Sequence, residues 1–261
     1  MTPVPVRQVD AELHRFFARR IVRGLAALVV AIAAASIGVA VVHSDNGVDV
    51  GRGLSDTLTA LAIVLVFLGV ALGASFVGAD FNLGSLSSQL LYEPRRWHLH
   101  IAKATAVAIG CAAFALTVCV IVGALMFLGS ALHGVTEGID ASWWQHRGVE
   151  LARAVAACAA GAVMAYAVTI VTRRSSAAIV LFLLQYPFIL IVSPEARVPF
   201  GPLSRVAPLR ALLAVAFDPA RDHSGTAAGI ATTAGGVVLT LVWVVALLAA
   251  SGARFSRAEI R

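Results

Sequence analysis

Six long stretches of the chain contain no Asp, Glu, Lys or Arg. They cover residues 24–42, 57–79, 104–132, 154–172, 175–194 and 224–253. A transmembrane helix needs about 20 mostly apolar residues to cross roughly 30 Å of hydrocarbon, and each stretch is close to or above that length. The sequence therefore predicts an all-α membrane protein with six transmembrane helices. Pro187 lies inside the fifth stretch, where we expect a kink or a break.

The composition excludes an ordinary water-soluble domain. The chain is 59% hydrophobic and 13% charged, whereas soluble domains carry roughly 25% charged residues. Its net charge of +6 comes from basic residues at the ends of apolar stretches, which indicates membrane anchoring and not a nucleic-acid partner. The three cysteines lie inside apolar stretches without a CxxC pair, so neither a disulfide framework nor a zinc site is predicted.

The distribution of basic residues predicts the orientation of the chain. Thirteen of the 20 Lys and Arg residues fall on one side of the six stretches, and nine of the 14 acidic residues fall on the other. Basic residues favour the cytoplasmic side, so we expect a multi-pass protein of the cell membrane with residues 1–23 and 254–261 in the cytoplasm. The predicted membrane anchors are Arg15, Arg19, Arg20, Arg23, Lys103, Arg173 and Arg174.

An amphipathic helix is predicted before the first stretch, over residues 9–23. One stripe is apolar, and the opposite stripe is polar. The apolar stripe holds Val9, Leu13, Phe16, Phe17 and Ile21, and the polar stripe holds Glu12, Arg15, Arg19 and Arg23. We expect this helix to lie in the cytoplasmic membrane interface. A helical extension of the first span is the alternative for this segment. A signal peptide is the alternative for the first apolar stretch, although the basic region before it is long for a signal peptide.

The last outer loop, residues 195–223, has an unusual apolar segment. Residues 211–217 are apolar but too few to cross a bilayer, and prolines punctuate the surrounding sequence. A re-entrant or interfacial pair of short helices would remove these apolar residues from water. A folded exterior loop is the alternative.

The polar segment 80–103 separates the second and third stretches. Its charged residues are too costly to place in the bilayer centre, so it is predicted to lie at the cytoplasmic surface. Asp80 can cap a short helix whose apolar face is formed by Leu83, Leu86, Leu90 and Leu91. Pro94 ends that helix and starts a second one that leads into the third span. The short helix suits either docking into an apolar groove of another protein or contact with lipid headgroups.

The motif Asp80…Gly84-Ser85-Leu86…Leu90-Leu91…Pro94-Arg95-Arg96…Ala102-Lys103 resembles the first cytoplasmic loop of ABC-2-type transporter permeases. The outline of six spans, an interfacial N-terminal helix and a long last outer loop is also similar to that family. The resemblance implies that the loop carries a coupling helix which sits in a cleft of an ATPase subunit. By position, the residues that would form or frame it are Asp80, Gly84, Ser85, Leu86, Leu90, Leu91, Pro94, Arg95 and Arg96, with Lys103 as its anchor. Asp80 and Ser85 depart mildly from the Glu and Thr that are commoner in the family.

No nucleotide site is predicted in this chain. A P-loop needs GxxxxGK[ST], and the only lysine, Lys103, stands between two alanines. The resemblance therefore implies ATP and Mg²⁺ on a separate ABC ATPase, in two copies, acting on a homodimer or on a pair of similar permeases. The uncharged spans favour export of a hydrophobic or amphipathic substrate such as a drug, lipid or glycolipid. No cofactor or substrate-binding residue is predicted.

Two other classes of function stay open. A membrane-embedded enzyme would draw on the polar residues of the third-to-fourth loop, namely His133, Glu137, Asp140, His146 and Glu150. Trp143 and Trp144 indicate instead that this loop lies at a membrane interface. His98 and His100 form an HxH pair without the acids or cysteines that would complete a metal site. A non-transporting membrane scaffold is the third class.

Overall fold

The structure, a computed structural model, describes residues 4–43, 50–82, 96–133, 141–191, 206–216 and 233–257. These ranges are all-helical, as predicted. They contain eight helices: α1 Val4–Ala18, α2 Arg20–His43, α3 Val50–Asn82, α4 Arg96–His133, α5 Ala141–Thr172, α6 Ser175–Ile191, α7 Pro208–Ala216 and α8 Thr233–Arg257.

Four helices in the described ranges are long and apolar enough to cross a membrane. Their candidate spans are Ala60–Asn82, Trp97–Leu128, Ala141–Thr172 and Thr233–Phe255. They fall on the second, third, fourth and sixth charge-free stretches. The remaining two stretches correspond to α2, with 24 residues, and to α6, with 17 residues. The chain therefore has the helices of a membrane protein.

Helix α5 occupies the centre of the bundle. In its most apolar window 72% of the residues are buried, against 11% in α8, so α5 is enclosed by other helices while α8 lies at the periphery. Helix α3 packs against α5 at two glycines. A Cβ added to Gly69 would collide with the backbone of Cys158, and one added to Gly73 would collide with the backbone of Ala162. These small residues allow the two backbones to approach closely.

The α5–α6 connection is a tight turn. Arg173 has a left-handed backbone with a φ of 58°, and its N–H donates to the Thr169 carbonyl at 2.7 Å. A left-handed residue after the last helical turn is a common helix ending. Helix α6 then runs through Pro187 to Ile191, so Pro187 does not break it.

Helix α7 is a short buried element within the predicted outer loop. All residues from Leu209 to Ala216 are buried, and nine residues span only about 13 Å. Pro208 begins the helix, a position where its missing N–H costs nothing. The Leu209 N–H donates to the side-chain oxygen of Gln185 at 3.1 Å, and Trp243 donates to the Val206 carbonyl at 2.8 Å. These bonds hold α7 against α6 and the middle of α8.

Candidate functional site

The structure describes both flanks of the predicted coupling segment but not the segment itself. Helix α3 ends at Asn82 and α4 begins at Arg96, and the helix break predicted at Pro94 lies outside the described residues. The predicted site residues outside the described ranges are Gly84, Ser85, Leu86, Leu90, Leu91, Pro94 and Arg95. The site that the structure describes is therefore the pair of helix ends from which this segment departs.

A buried ion pair joins these two helix ends. The Lys103 ammonium lies 2.6 Å from Asp80 Oδ2 and 3.1 Å from Glu12 Oε1. The side chains of Asp80 and Lys103 are 0% and 1% exposed. Lys103 is thus enclosed by protein, which corrects the prediction that it is a headgroup anchor. A buried carboxylate needs a cation beside it, and Lys103 satisfies that need.

The polar stripe of α1 faces this ion pair. Arg15 donates to Asp80 Oδ1 at 2.7 Å, and Arg19 donates to the carbonyls of Ser75 and Phe76 at 3.0 and 2.9 Å. The charged groups of Arg15 and Arg19 therefore bond to α3, which differs from the headgroup role predicted for them. The helical hydrogen-bond pattern is interrupted at Arg19 between α1 and α2, so α1 is a separate helix and not an extension of the first span.

Aromatic contacts fix α1 in this position. Phe16 is 1% exposed and its ring lies against Gly110 of α4, where no Cβ could fit unless the ring moved. The Arg19 guanidinium lies 4.5 Å from the centre of the Phe76 ring, within the range of a cation–π contact. Burial lowers the pKa of the Arg19 guanidinium from its ordinary value, and the Asp80 carboxylate acts in the opposite direction.

A second buried polar group ties α4 to α5 and α8. The Tyr166 hydroxyl lies 3.1 Å from both His100 Nδ1 and the His100 carbonyl oxygen. The Ser251 hydroxyl lies 3.3 Å from His100 Nε2. One turn before His100, the Trp97 ring lies against Gly252 of α8, where an added Cβ would collide with it.

Together these side chains form one unit, the polar junction, which comprises Glu12, Arg15, Arg19, Asp80, His100, Lys103, Tyr166 and Ser251. It joins α1, α3, α4, α5 and α8 at one end of the bundle. The two carboxylates of the junction, Glu12 and Asp80, lie close to three cations, Arg15, Arg19 and Lys103. The opposite charges therefore largely neutralise one another. The sequence did not single out Tyr166 or Ser251, because their partners are 66 and 151 residues away.

The other predicted anchors lie on the surface. The exposed residues are Arg20, Arg23, Arg173 and Arg174. Contact of these four residues with lipid headgroups stays a prediction. Arg96, which is predicted to frame the coupling helix, begins α4.

Of the five residues considered for an enzyme, the structure describes the side chains of His146 and Glu150. His146 Nδ1 lies 2.7 Å from the Ser142 carbonyl of its own helix, and Glu150 accepts a hydrogen bond from Arg147. His133 ends α4, while Glu137 and Asp140 lie outside the described ranges. His98 is exposed whereas His100 is buried, so the HxH pair points in two directions. In the part of the chain that the structure describes, no three His, Cys, Asp or Glu residues are placed to share a metal ion.

No protein-family model matches the chain, and no curated protein matches it.

Proposed function

We propose that this chain is the membrane-spanning permease subunit of an ABC-2-type transporter, driven by a separate ATPase. The proposal rests on the motif in residues 80–103 and on one structural observation. Both flanks of the predicted coupling segment are held in the polar junction through Asp80 and Lys103. A displacement of that segment is therefore transmitted to the bundle, because its two ends cannot separate without breaking a buried ion pair.

The number of helices that the polar junction connects supports the same proposal. Lys103 connects to Glu12 on α1, and His100 connects to Tyr166 on α5 and Ser251 on α8. A displacement of the start of α4 would therefore move the central helix α5 and the peripheral helix α8 together. Rigid-body rotation of packed units about an interface is a known kind of conformational change in proteins.

We also propose that the chain has six membrane spans. Helices α2 and α6 cover the first and fifth charge-free stretches, and together with the four apolar candidate spans they would complete the set. We also propose that α7 is re-entrant, because its residues are buried and Val206 accepts a hydrogen bond from Trp243 in the middle of α8. Polar backbone at membrane depth is tolerated where protein encloses it.

The resemblance to ABC-2-type permeases also implies partners and a cargo for this chain. Two copies of the ATPase would carry ATP and Mg²⁺, and the permease would pair with itself or with a similar chain. The cargo would be hydrophobic or amphipathic and would be exported. The peripheral helix α8 exposes Val238, Leu241 and Val245, which gives a surface for lipid or for the second permease.

Co-purification in mild detergent tests the proposal. A tagged chain from its native host is expected to carry an ATPase subunit, identified by mass spectrometry, and to hydrolyse ATP with it. Changing both Leu86→Asp and Leu90→Asp should remove the subunit and the hydrolysis, because charge is introduced into the predicted apolar docking face.

A matched variant separates docking from added charge. Ser88→Asp with Gln89→Asp places the same two charges on the opposite face of the predicted coupling helix, and it should retain the ATPase. Hydrolysis at the wild-type level in the Leu86/Leu90 variant would contradict the docking role. Purification of the wild-type chain without any ATPase would contradict the transporter itself.

A further inference from the structure

A half-open cavity of about 400 Å³ lies between α4 and α5. Sites for small molecules commonly have volumes of roughly 300–1,000 Å³. One wall runs along α4 from Cys119 to Phe127, and the other runs along α5 from Trp143 to Leu151. The lining is almost entirely apolar, and Arg147 is its charged member.

The position of the cavity along α4 gives its depth in the membrane. Gly123 follows Lys103 of the polar junction by twenty residues, and α4 carries no charged residue after Lys103. At 1.5 Å per residue this is about 30 Å, which is roughly the thickness of the hydrocarbon. The cavity therefore lies at the membrane boundary opposite the polar junction. Its α4 wall reaches about 12 Å from Phe127 toward the bilayer centre.

The rim of the cavity combines aromatic rings with one guanidinium. Trp143 and Trp144 are residues that favour the membrane–water interface. Arg147 donates to Glu150 through Nη1 and lies 5.6 Å from the centre of the Trp143 ring. Its Nε is buried and has no hydrogen-bond partner in the described residues. A buried donor without an acceptor is costly, and phosphate oxygens suit a guanidinium.

We propose that this cavity binds one phospholipid, with an acyl chain between α4 and α5 and the phosphate at Arg147. The apolar walls match the chain, and the cation at the rim matches the phosphate. Glu150 holds the guanidinium in place through Nη1 while the remaining donors of Arg147 face the ligand's phosphate. This site requires only that α4 and α5 span the membrane, and it is independent of transport.

Native mass spectrometry of the full-length protein tests the site. The protein in mild detergent is titrated with palmitoyl-oleoyl phosphatidylethanolamine, or with the diacylglycerol that has the same chains and no phosphate. Wild type should retain one phospholipid per chain and prefer it over the diacylglycerol by a factor of about ten, as one charge-assisted hydrogen bond gives. Arg147→Gln should abolish this preference.

Gly123→Leu should abolish retention of both lipids. Gly123 lines the cavity and an added Cβ meets no other atom within 4 Å, so the new side chain would fill the space without disturbing the fold. Gly38→Leu is the matched control, because Gly38 on α2 is equally open and lies away from the cavity. Equal retention of the two lipids by wild type would overturn the phosphate contact. Phospholipid retention by Gly123→Leu at the wild-type level would overturn the site.

Discussion

Asp80 and Lys103 show how single charged residues are accommodated inside an apolar bundle. Each of them would cost several kcal/mol to bury alone, yet both are almost completely enclosed. The cost is offset because the Asp80 carboxylate lies beside Lys103 and Arg15. Removing one of these residues leaves its partner as an uncompensated buried charge. This lowers the free energy of unfolding far more than removing an exposed charge does.

Lys103→Met is expected to lower the free energy of unfolding by about 3 kcal/mol, because Asp80 and Glu12 lose their buried cation. The measurement is thermal unfolding of the detergent-solubilised protein. Asp80→Asn added to Lys103→Met should restore part of the loss, since it removes one of the uncompensated charges.

Arg20→Met is the control for the stability measurement on Lys103→Met. Arg20 is exposed and begins α2, and exposed charges contribute roughly 0–1 kcal/mol. If Lys103→Met were no more destabilising than Arg20→Met, the junction would have no structural role.

Among the elements, the α3–α5 pair sets the geometry of the core. Its contact depends on Gly69 and Gly73, which face the backbone of α5. The obstacle to a larger residue there is a neighbouring main chain, which cannot rotate away as a side chain can. The two glycines therefore permit the close approach of these helices.

Gly73→Ala is expected to destabilise the protein by about 1–3 kcal/mol, since overpacking forces backbone shifts. Gly38→Ala makes the same change at an open position and should be neutral or slightly stabilising, because alanine favours helix by up to about 1 kcal/mol over glycine. Thermal unfolding of the two variants side by side gives the comparison. Equal melting temperatures would show that α3 and α5 are not in close contact.

The sequence predicted the helical class of the fold better than it predicted which face of each helix is buried. The charge-free stretches predicted an all-helical fold, and four of them coincide with long apolar helices, because this signal is local. The polar stripe of α1 was predicted to face the membrane surface, but Arg15 and Arg19 bond to α3. That outcome depends on Asp80, which is 65 residues from Arg15, and no local periodicity carries such information.

At the scale of the whole molecule, the two ends of the bundle differ in character. The polar junction occupies one end, and the cavity bordered by Trp143 and Arg147 lies about 30 Å away along α4. The distribution of basic residues predicts that the junction faces the cytoplasm. The proposed docking of an ATPase requires that orientation.

Cysteine accessibility tests the orientation. The three native cysteines are buried, so wild type should stay unlabelled by a membrane-impermeant maleimide. His98→Cys and Arg254→Cys, at exposed positions near the junction, should react only in inside-out vesicles. Ser142→Cys, exposed at the other end of the bundle, should react in intact cells. Labelling of His98→Cys from outside would reverse the orientation and remove the coupling proposal.

The polar junction also has a consequence for the order in which the nascent chain assembles. Lys103 follows Asp80 by 23 residues, and Glu12 and Arg15 precede both, so all the partners in these ionic contacts are synthesised before α5 begins at Ala141. The partners of His100 are synthesised later, first Tyr166 on α5 and then Ser251 on α8. The early helices can therefore neutralise their charges while they enter the bilayer, and α8 completes the assembly by meeting a histidine that is already in place.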